Sequence, residues 1–284
     1  MAVVLDGIAY GLQLAVLSVG LTLIYGLGGV LNLAHGQFAV TTAIAASLLL
    51  SNGVPTLAAV LAAVALGAVL ALAVDASLMR PVYRLRGEAR VLLSLLLTIG
   101  LAFVIDGLLV YEYPSAALRL SIPGAAINLL GVPMRRGALA ASLLSLVALG
   151  VLILFLRYTR RGKAVRSIIQ DEEGAQLCGI NPARMRTAVF ALSGALAAVA
   201  AIAEGMTSSV GSTDGVSLTI EALIVTVVGG LGSVAGALLA GLLLGIVYAL
   251  ATYHIGAYIT SIILLVAAMA TILLRPSGLL GRGA

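Results

Sequence analysis

The sequence has no tryptophan, a single cysteine, two histidines, and no lysine or arginine before Arg80. One cysteine, Cys178, excludes an internal disulfide and any multi-cysteine metal site. His35 and His254 lie far apart in the chain, with no cysteine or paired acids beside either. Charge is scarce as well: only 10% of the 284 residues are Asp, Glu, Lys or Arg, against about 25% in ordinary soluble domains. A compact soluble domain of this size could not cover its surface with so few charges, whereas a bilayer accepts apolar residues directly. No stretch is long or polar enough to form an additional soluble domain, which excludes a fused ATPase or kinase on this chain. Energy and solute specificity would have to come from partners. The N-terminus carries no basic segment ahead of its first apolar run, so that run reads as a retained span rather than a cleaved signal.

What is present is hydrophobicity, at 62% of residues and a mean hydropathy of +1.19. Allowing about 20 residues per span and about 10 per connection, the chain has room for roughly nine crossings. Apolar runs lie at 7–31, 37–50, 56–79, 91–111, 138–156, 187–206, 218–252 and 257–274. Each is expected to be helical, because a backbone in lipid must satisfy its own hydrogen bonds. The 218–252 run is too long for one span and is interrupted by Gly229-Gly230-Leu231-Gly232-Ser233. It reads as a half-helix entering the membrane, a glycine turn, and a full helix returning. The expected fold is all-α, a polytopic transmembrane helix bundle of about eight full spans plus one half-helix, in a single domain over 1–284.

Thirteen of the sixteen basic residues fall in three segments, 80–90, 157–186 and the C-terminal tail with Arg275 and Arg282. Span parity places all three on one side, which the positive-inside rule makes cytoplasmic, with the N-terminus outside. The net charge of +5 therefore follows topology and does not imply nucleic acid. Tyr83, Tyr111, Tyr113, Tyr158, Tyr253 and Tyr258 sit near span ends and stand in for the missing tryptophans as interfacial anchors. Gly7/Gly11, Gly232/Gly236 and Gly241/Gly245 are small-xxx-small pairs suited to close helix packing.

The 157–186 segment is the most unusual stretch. Val165, Ile168 and Ile169 follow helical spacing, which predicts a short amphipathic helix over 162–170. Asp171 is placed to cap a second short helix through Cys178, with Glu172 and Glu173 at its positive end. Gly179 and Ile180 suit the positions just past that helix, and Asn181-Pro182 opens the next as N-cap and first residue. Two short helices with a compact elbow would form a rigid knob; a solvated connector is the plainer alternative.

Four blocks in order resemble the branched-chain amino-acid ABC importer permease family, and most closely its shorter permease subunit. They are Gly20-Leu21-Thr22-Leu23-Ile24-Tyr25-Gly26 running to Val30-Leu31-Asn32-Leu33-Ala34-His35-Gly36-Gln37-Phe38; Gly162-Lys163-Ala164-Val165-Arg166 through Asp171, Ala175, Gly179 and Ile180; Val228-Gly229-Gly230-Leu231-Gly232-Ser233-Val234-Ala235-Gly236-Ala237; and Arg275-Pro276-Ser277-Gly278-Leu279-Leu280-Gly281. The resemblance implies a non-enzymatic transport subunit in a bacterial or archaeal plasma membrane. Its implied partners are a second permease subunit, two cytoplasmic ATPase subunits that bind ATP and Mg, and a periplasmic substrate-binding protein. It also implies that Gly162, Ala164, Arg166, Asp171, Ala175, Gly179 and Ile180 form the ATPase-coupling segment, with Ala175 on its contact face. The outer loop Gly211-Ser212-Thr213-Asp214-Gly215 lacks the family's proline, Tyr248 stands where relatives often carry an acid, and Glu204 is an unusual acid at a span end. These departures bear on the solute, which could be urea, a short amide or another amino acid.

Candidate pathway or gate residues are Asn32, His35 and Gly36, and the break at Gly229, Gly230, Gly232 and Ser233. Asn32 and His35 either line the pathway or cap helix ends, and Gly36 is expected to permit a tight turn. A helix starting at Ser233 would aim its N–H groups into the membrane interior; a glycine hinge is the alternative. Asp75 is placed to pair with Arg80 or Arg84, and Glu221 falls in the first turn of the half-helix. A stand-alone secondary transporter is disfavoured, because no buried acid–base relay is visible.

Overall fold

The computed structural model describes residues 2–122, 127–129, 132–275 and 277–280. Pro276, Gly281 and Arg282 of the expected closing segment lie outside the described residues, as does the side chain of Tyr258. Eleven helices carry the described fold: α1 (Ala2–Gly28), α2 (His35–Ser51), α3 (Thr56–Val82), α4 (Gly87–Glu112), α5 (Arg136–Tyr158), α6 (Arg160–Gln170), α7 (Glu172–Leu177), α8 (Pro182–Thr207), α9 (Gly215–Gly229), α10 (Val234–Ile255) and α11 (Ala257–Leu274). Among the described residues, six of these are long and apolar enough to cross a membrane: α1, α3, α4, α5, α8 and α10. A bundle of spanning helices was the expectation. The connections also hold two short antiparallel ribbons, β1 (Ala117–Leu118) with β4 (Val210–Gly211), and β2 (Ile127–Leu129) with β3 (Val132–Met134).

Helix α1 is the axis of the bundle and is buried along nearly its whole length. Its close neighbour is α10, which runs antiparallel to it. A β-carbon on Gly7 or Gly11 would press into the α10 backbone at Ile246 or at Gly241 and Leu242, and one on Gly245 would press into Gly11. Two of the small-residue pairs seen in the sequence, Gly7/Gly11 and Gly241/Gly245, thus face each other and let two backbones touch, the usual route to tight packing where lipid supplies no hydrophobic drive. Gly67 of α3 and Gly194 of α8 meet in the same way. Outward faces of α3, α4, α5 and α11 carry Leu61, Leu96, Phe103, Val151 and Ile262, all exposed, as lipid-facing surfaces should be.

The two ends of the bundle differ in charge. Arg186 donates to the Leu27 carbonyl, Arg90 to the Gly28 carbonyl, and Leu279 N–H to the Val228 carbonyl. These contacts gather the 80–90 loop, the α6–α7 segment and the tail from Arg275 at the α1 C-terminal end, here called the knob end. Arg119, Arg135 and Arg136 line one cavity with Gly205 to Ser208 at the opposite, far end. Helix α3 contains one π turn, Asp75–Met79, close to the knob end.

Candidate functional site

Chain entry into α2 is the first unusual place. Gly29 adopts φ +60°, ending α1, and the next five residues are not helical. They run back into the bundle beside α4. Ser94 Oγ accepts from Leu31 N–H at 3.1 Å and Thr98 Oγ1 accepts from Leu33 N–H at 3.0 Å. Arg90, Ser94, Thr98 and Asp106 recur at multiples of four, so they form one stripe on α4. Where unwound backbone crosses lipid depth, such side chains replace the missing helical partners.

Asn32, His35 and Gly36 come together here, all buried. Asn32 Oδ1 accepts from Ala34 N–H at 3.1 Å, while its Nδ2 has no hydrogen-bond partner among the described residues. His35 Nε2 lies 3.0 Å from the Leu17 carbonyl, in the middle of α1. A carbonyl only accepts, so Nε2 carries the proton, and Nδ1 is left to accept from Ser193 Oγ at 3.5 Å. Helix α2 therefore starts inside the bundle, as α9 does. Gly36 N–H donates to Thr219 Oγ1 at 2.9 Å, and a β-carbon on Gly36 would overlap the Gly215 carbonyl. The expected tight turn at Gly36 is thus replaced by a close approach of two helix starts. Gln37 Nε2 reaches both Asp106 carboxylate oxygens at 3.4 Å on the far-end side of this junction.

Helix α9 begins at Gly215, which moves Glu221 from the expected first turn to the second. Glu221 accepts from the Tyr10 hydroxyl at 3.0 Å, and the Tyr10 ring stacks on Tyr248 with centroids 4.4 Å apart. Tyr10, Tyr248 and Glu204 share a cavity of about 400 Å³.

The glycine break lies elsewhere. Gly230 and Gly232 take φ +102° and +87°, and Gly232 rests against Gly26 at the end of α1. Gly229 packs on Gly236, and Ser233 Oγ caps α10 by accepting from Gly236 N–H at 3.1 Å. The turn is thus at the knob end, and the first N–H groups of α10 face that surface rather than the interior. The 15 residues of α9 start deep in the bundle and run out before the turn is made. The break and the knob do meet: Gly232, Ser233, Arg166, Gln170 and Leu280 line one cavity of about 560 Å³.

The knob is built by local signals. Thr159 caps α6, accepting from Gly162 N–H at 2.9 Å. Val165 and Ile168 are buried, and Gly162 lies so close to Phe155 that a β-carbon would overlap its carbonyl. Asp171 Oδ1 accepts from Glu173 and Gly174 N–H at 3.1 and 3.0 Å. Gly179, at φ +80°, closes α7: its N–H donates to the Gln176 carbonyl at 2.9 Å and Ile180 N–H to the Ala175 carbonyl at 3.1 Å. That pair of bonds is a Schellman closure. Asn181 Oδ1 accepts from Arg184 N–H at 3.2 Å and opens α8. Ala164 is half-buried and Arg166 exposed. Ala175, expected on the contact face, is buried inside the knob instead, because the short α7 turns it toward α6. The tip is formed by Leu177, 90% exposed, and the exposed Cys178.

The α4 stripe, and Thr187 and Arg186 as partners of Asp75 and Tyr83, were missed in the sequence. The α4 stripe was readable from its four-residue spacing. Asp75 accepts from the Thr187 hydroxyl at 2.6 Å, and of its two expected partners Arg80 attracts it through space without a close ion pair. Tyr83, one of the span-end tyrosines, is engaged by Arg186, whose guanidinium lies 5.0 Å from its ring centroid.

Residues 3–273 match the family model described as branched-chain amino acid transport system / permease component. The chain belongs to that family. A relative from Pseudomonas aeruginosa, the high-affinity branched-chain amino acid transport system permease protein BraD, is 30% identical, covering 98% of this chain and 94% of its own length. The permease protein LivH of the corresponding Escherichia coli K12 system is 29% identical with the same coverage. A probable LivH from Methanocaldococcus jannaschii is 27% identical over 98% of this chain and 92% of its own. Among solved structures, PsaBC from Streptococcus pneumoniae in complex with Fab shares the fold, with a TM-score of 0.54 and 10% identity over 96% of this chain and 91% of that one.

Proposed function

We propose that this chain is the membrane-embedded permease subunit of an ATP-driven importer for branched-chain amino acids. Full-length similarity to BraD and LivH permeases is the observation that carries the solute class. In this reading the knob end faces the cytoplasm, the α1 N-terminus faces outward, and the membrane is the plasma membrane of a prokaryote. A second permease subunit completes the pathway, two ATPase subunits bind ATP and Mg and dock on the knob, and a soluble binding protein delivers solute at the far end. Gly162, Asp171, Ala175, Gly179 and Ile180 shape the knob from within, while Arg166, Ala164 and the Leu177 tip meet the ATPase.

Import requires two packings of the bundle with solute-binding and nucleotide states favouring one or the other. In this reading the junction of Asn32, His35 and Gly36 acts as the gate, supported by the meeting of two helix starts there. The Gly229–Ser233 turn serves as the hinge between α9 and α10. Purification from native membranes followed by identification of bound proteins tests the assignment. Recovery of an ATPase and a binding protein whose ligand is leucine, isoleucine or valine is the expected result. A binding protein loaded with urea or a short amide would overturn the solute, and uptake by the chain alone under a proton or sodium gradient would overturn the class.

A further inference from the structure

Arg186 lies in the first turns of α8, is only 8% exposed, and touches three other elements. Its Nη2 donates to Glu172 Oε2 of the knob at 2.6 Å, and its Nε donates to the Leu27 carbonyl at the end of α1 at 3.4 Å. Its guanidinium covers the Tyr83 ring just past α3. Arg90 of α4 then donates from Nη2 to the Tyr83 carbonyl at 3.3 Å and from Nη1 to the Gly28 carbonyl at 3.1 Å. The last carbonyls of a helix lack intrahelical partners and carry partial negative charge, so two guanidiniums are well matched to them. The residue after Arg186, Thr187, is fixed to Asp75 in the π turn of α3. Immediately beyond Gly28 begins the unwound segment that leads to Asn32 and His35.

Resting on the coupling reading of the knob, we propose that Arg186 is the positioning residue that transmits knob movement to the unwound segment after α1. Glu172 is the only knob residue in the chain of contacts just traced. A displacement of α7 pulls on Glu172, Glu172 on Arg186, and Arg186 on the Leu27 carbonyl one residue before the helix ends. Arg90 holds the neighbouring Gly28 carbonyl against α4, so the pull is felt as a change of angle at Gly29. A guanidinium is suited to this because its planar fork holds several acceptors in fixed relative directions, which an ammonium does not.

The test is the number of ATP molecules hydrolysed per solute imported. It uses the assembled permease–ATPase complex in proteoliposomes with its binding protein and labelled leucine. Glu172→Gln keeps the shape and removes the charge on a partly exposed knob residue. Arg186→Lys keeps the charge and removes the fork. Both are expected to retain the ATPase subunits and most of their hydrolysis while uptake falls about tenfold, in line with typical coupling between sites. An unchanged ratio of ATP to solute in both variants would overturn the proposal. So would a parallel fall of hydrolysis and uptake accompanied by loss of ATPase subunits, since Arg186 would then only build the docking shape. Failure of the coupling reading itself is recognised separately, because the unsubstituted chain would recruit no ATPase.

Discussion

The knob and the α2–α9 junction solve the same problem, unpaired backbone at helix ends, in opposite ways. In the knob each end is closed by a residue within a few positions: Thr159, Asp171, Gly179 and Asn181 all bond to their own neighbourhood. At the junction the partners lie 63 residues away for Leu31 and Ser94, 65 for Leu33 and Thr98, and 183 for Gly36 and Thr219. Water at the knob forgives an imperfect cap, whereas the junction has no solvent to fall back on. Damage at the knob should therefore stay local and damage at the junction should spread through the bundle.

The largest effect should come from Gly36→Val. Its side chain would drive into the Gly215 carbonyl, a backbone group that cannot swing aside. Overpacking there should cost about 3 kcal/mol or more and abolish the monodisperse protein in detergent chromatography. Wild-type yield and elution would show the junction to be slack.

Next in size is Thr98→Val, which keeps the volume and leaves Leu33 N–H without its acceptor. A loss of about 1–3 kcal/mol is expected by thermal unfolding in detergent, with Thr98→Ser restoring most of it. Equal stability of all three proteins would remove the contrast between the two regions.

Gly179→Val should strain the left-handed turn of the knob by about 1–3 kcal/mol, yet leave bundle unfolding unchanged. The readout is ATPase co-purification, expected to be lost. A fall in bundle stability would mean that the knob is not an independent unit.

Leu177→Asp is the mildest. With its side chain almost fully exposed, stability should move by no more than about 0.5 kcal/mol. Weakened ATPase association at constant stability is expected, and unchanged association would place the docking surface elsewhere on the knob.

The same contrast explains what was legible in the sequence. Asp171, Gly179 and Asn181-Pro182 signal their caps to an observer with only the local residues, and each took the expected role in the knob's architecture. The bundle itself was readable from its apolar runs. Ala175 was misplaced because facing within a six-residue helix depends on how α7 folds onto α6. Gly36 was misread and Asp75 only partly read for a different reason: their partners, Gly215 and Thr187, are brought near only by the tertiary arrangement. Nothing in the run 37–50 announces that its helix begins inside the protein.

The π turn at Asp75–Met79 carries a consequence for insertions and deletions. A π turn closes over one more residue than an α turn, so it takes up a single extra residue that would otherwise turn the helix beyond it by about 100°. Tyr83 follows that turn, and its facing toward Arg186 is kept because the extra residue is absorbed before it. A homologue one residue shorter between 75 and 79 is therefore expected to run as a plain α-helix there and still present this position to the start of α8. A single-residue gap at this turn would then be silent, whereas a gap between 79 and 83 would turn the aromatic away.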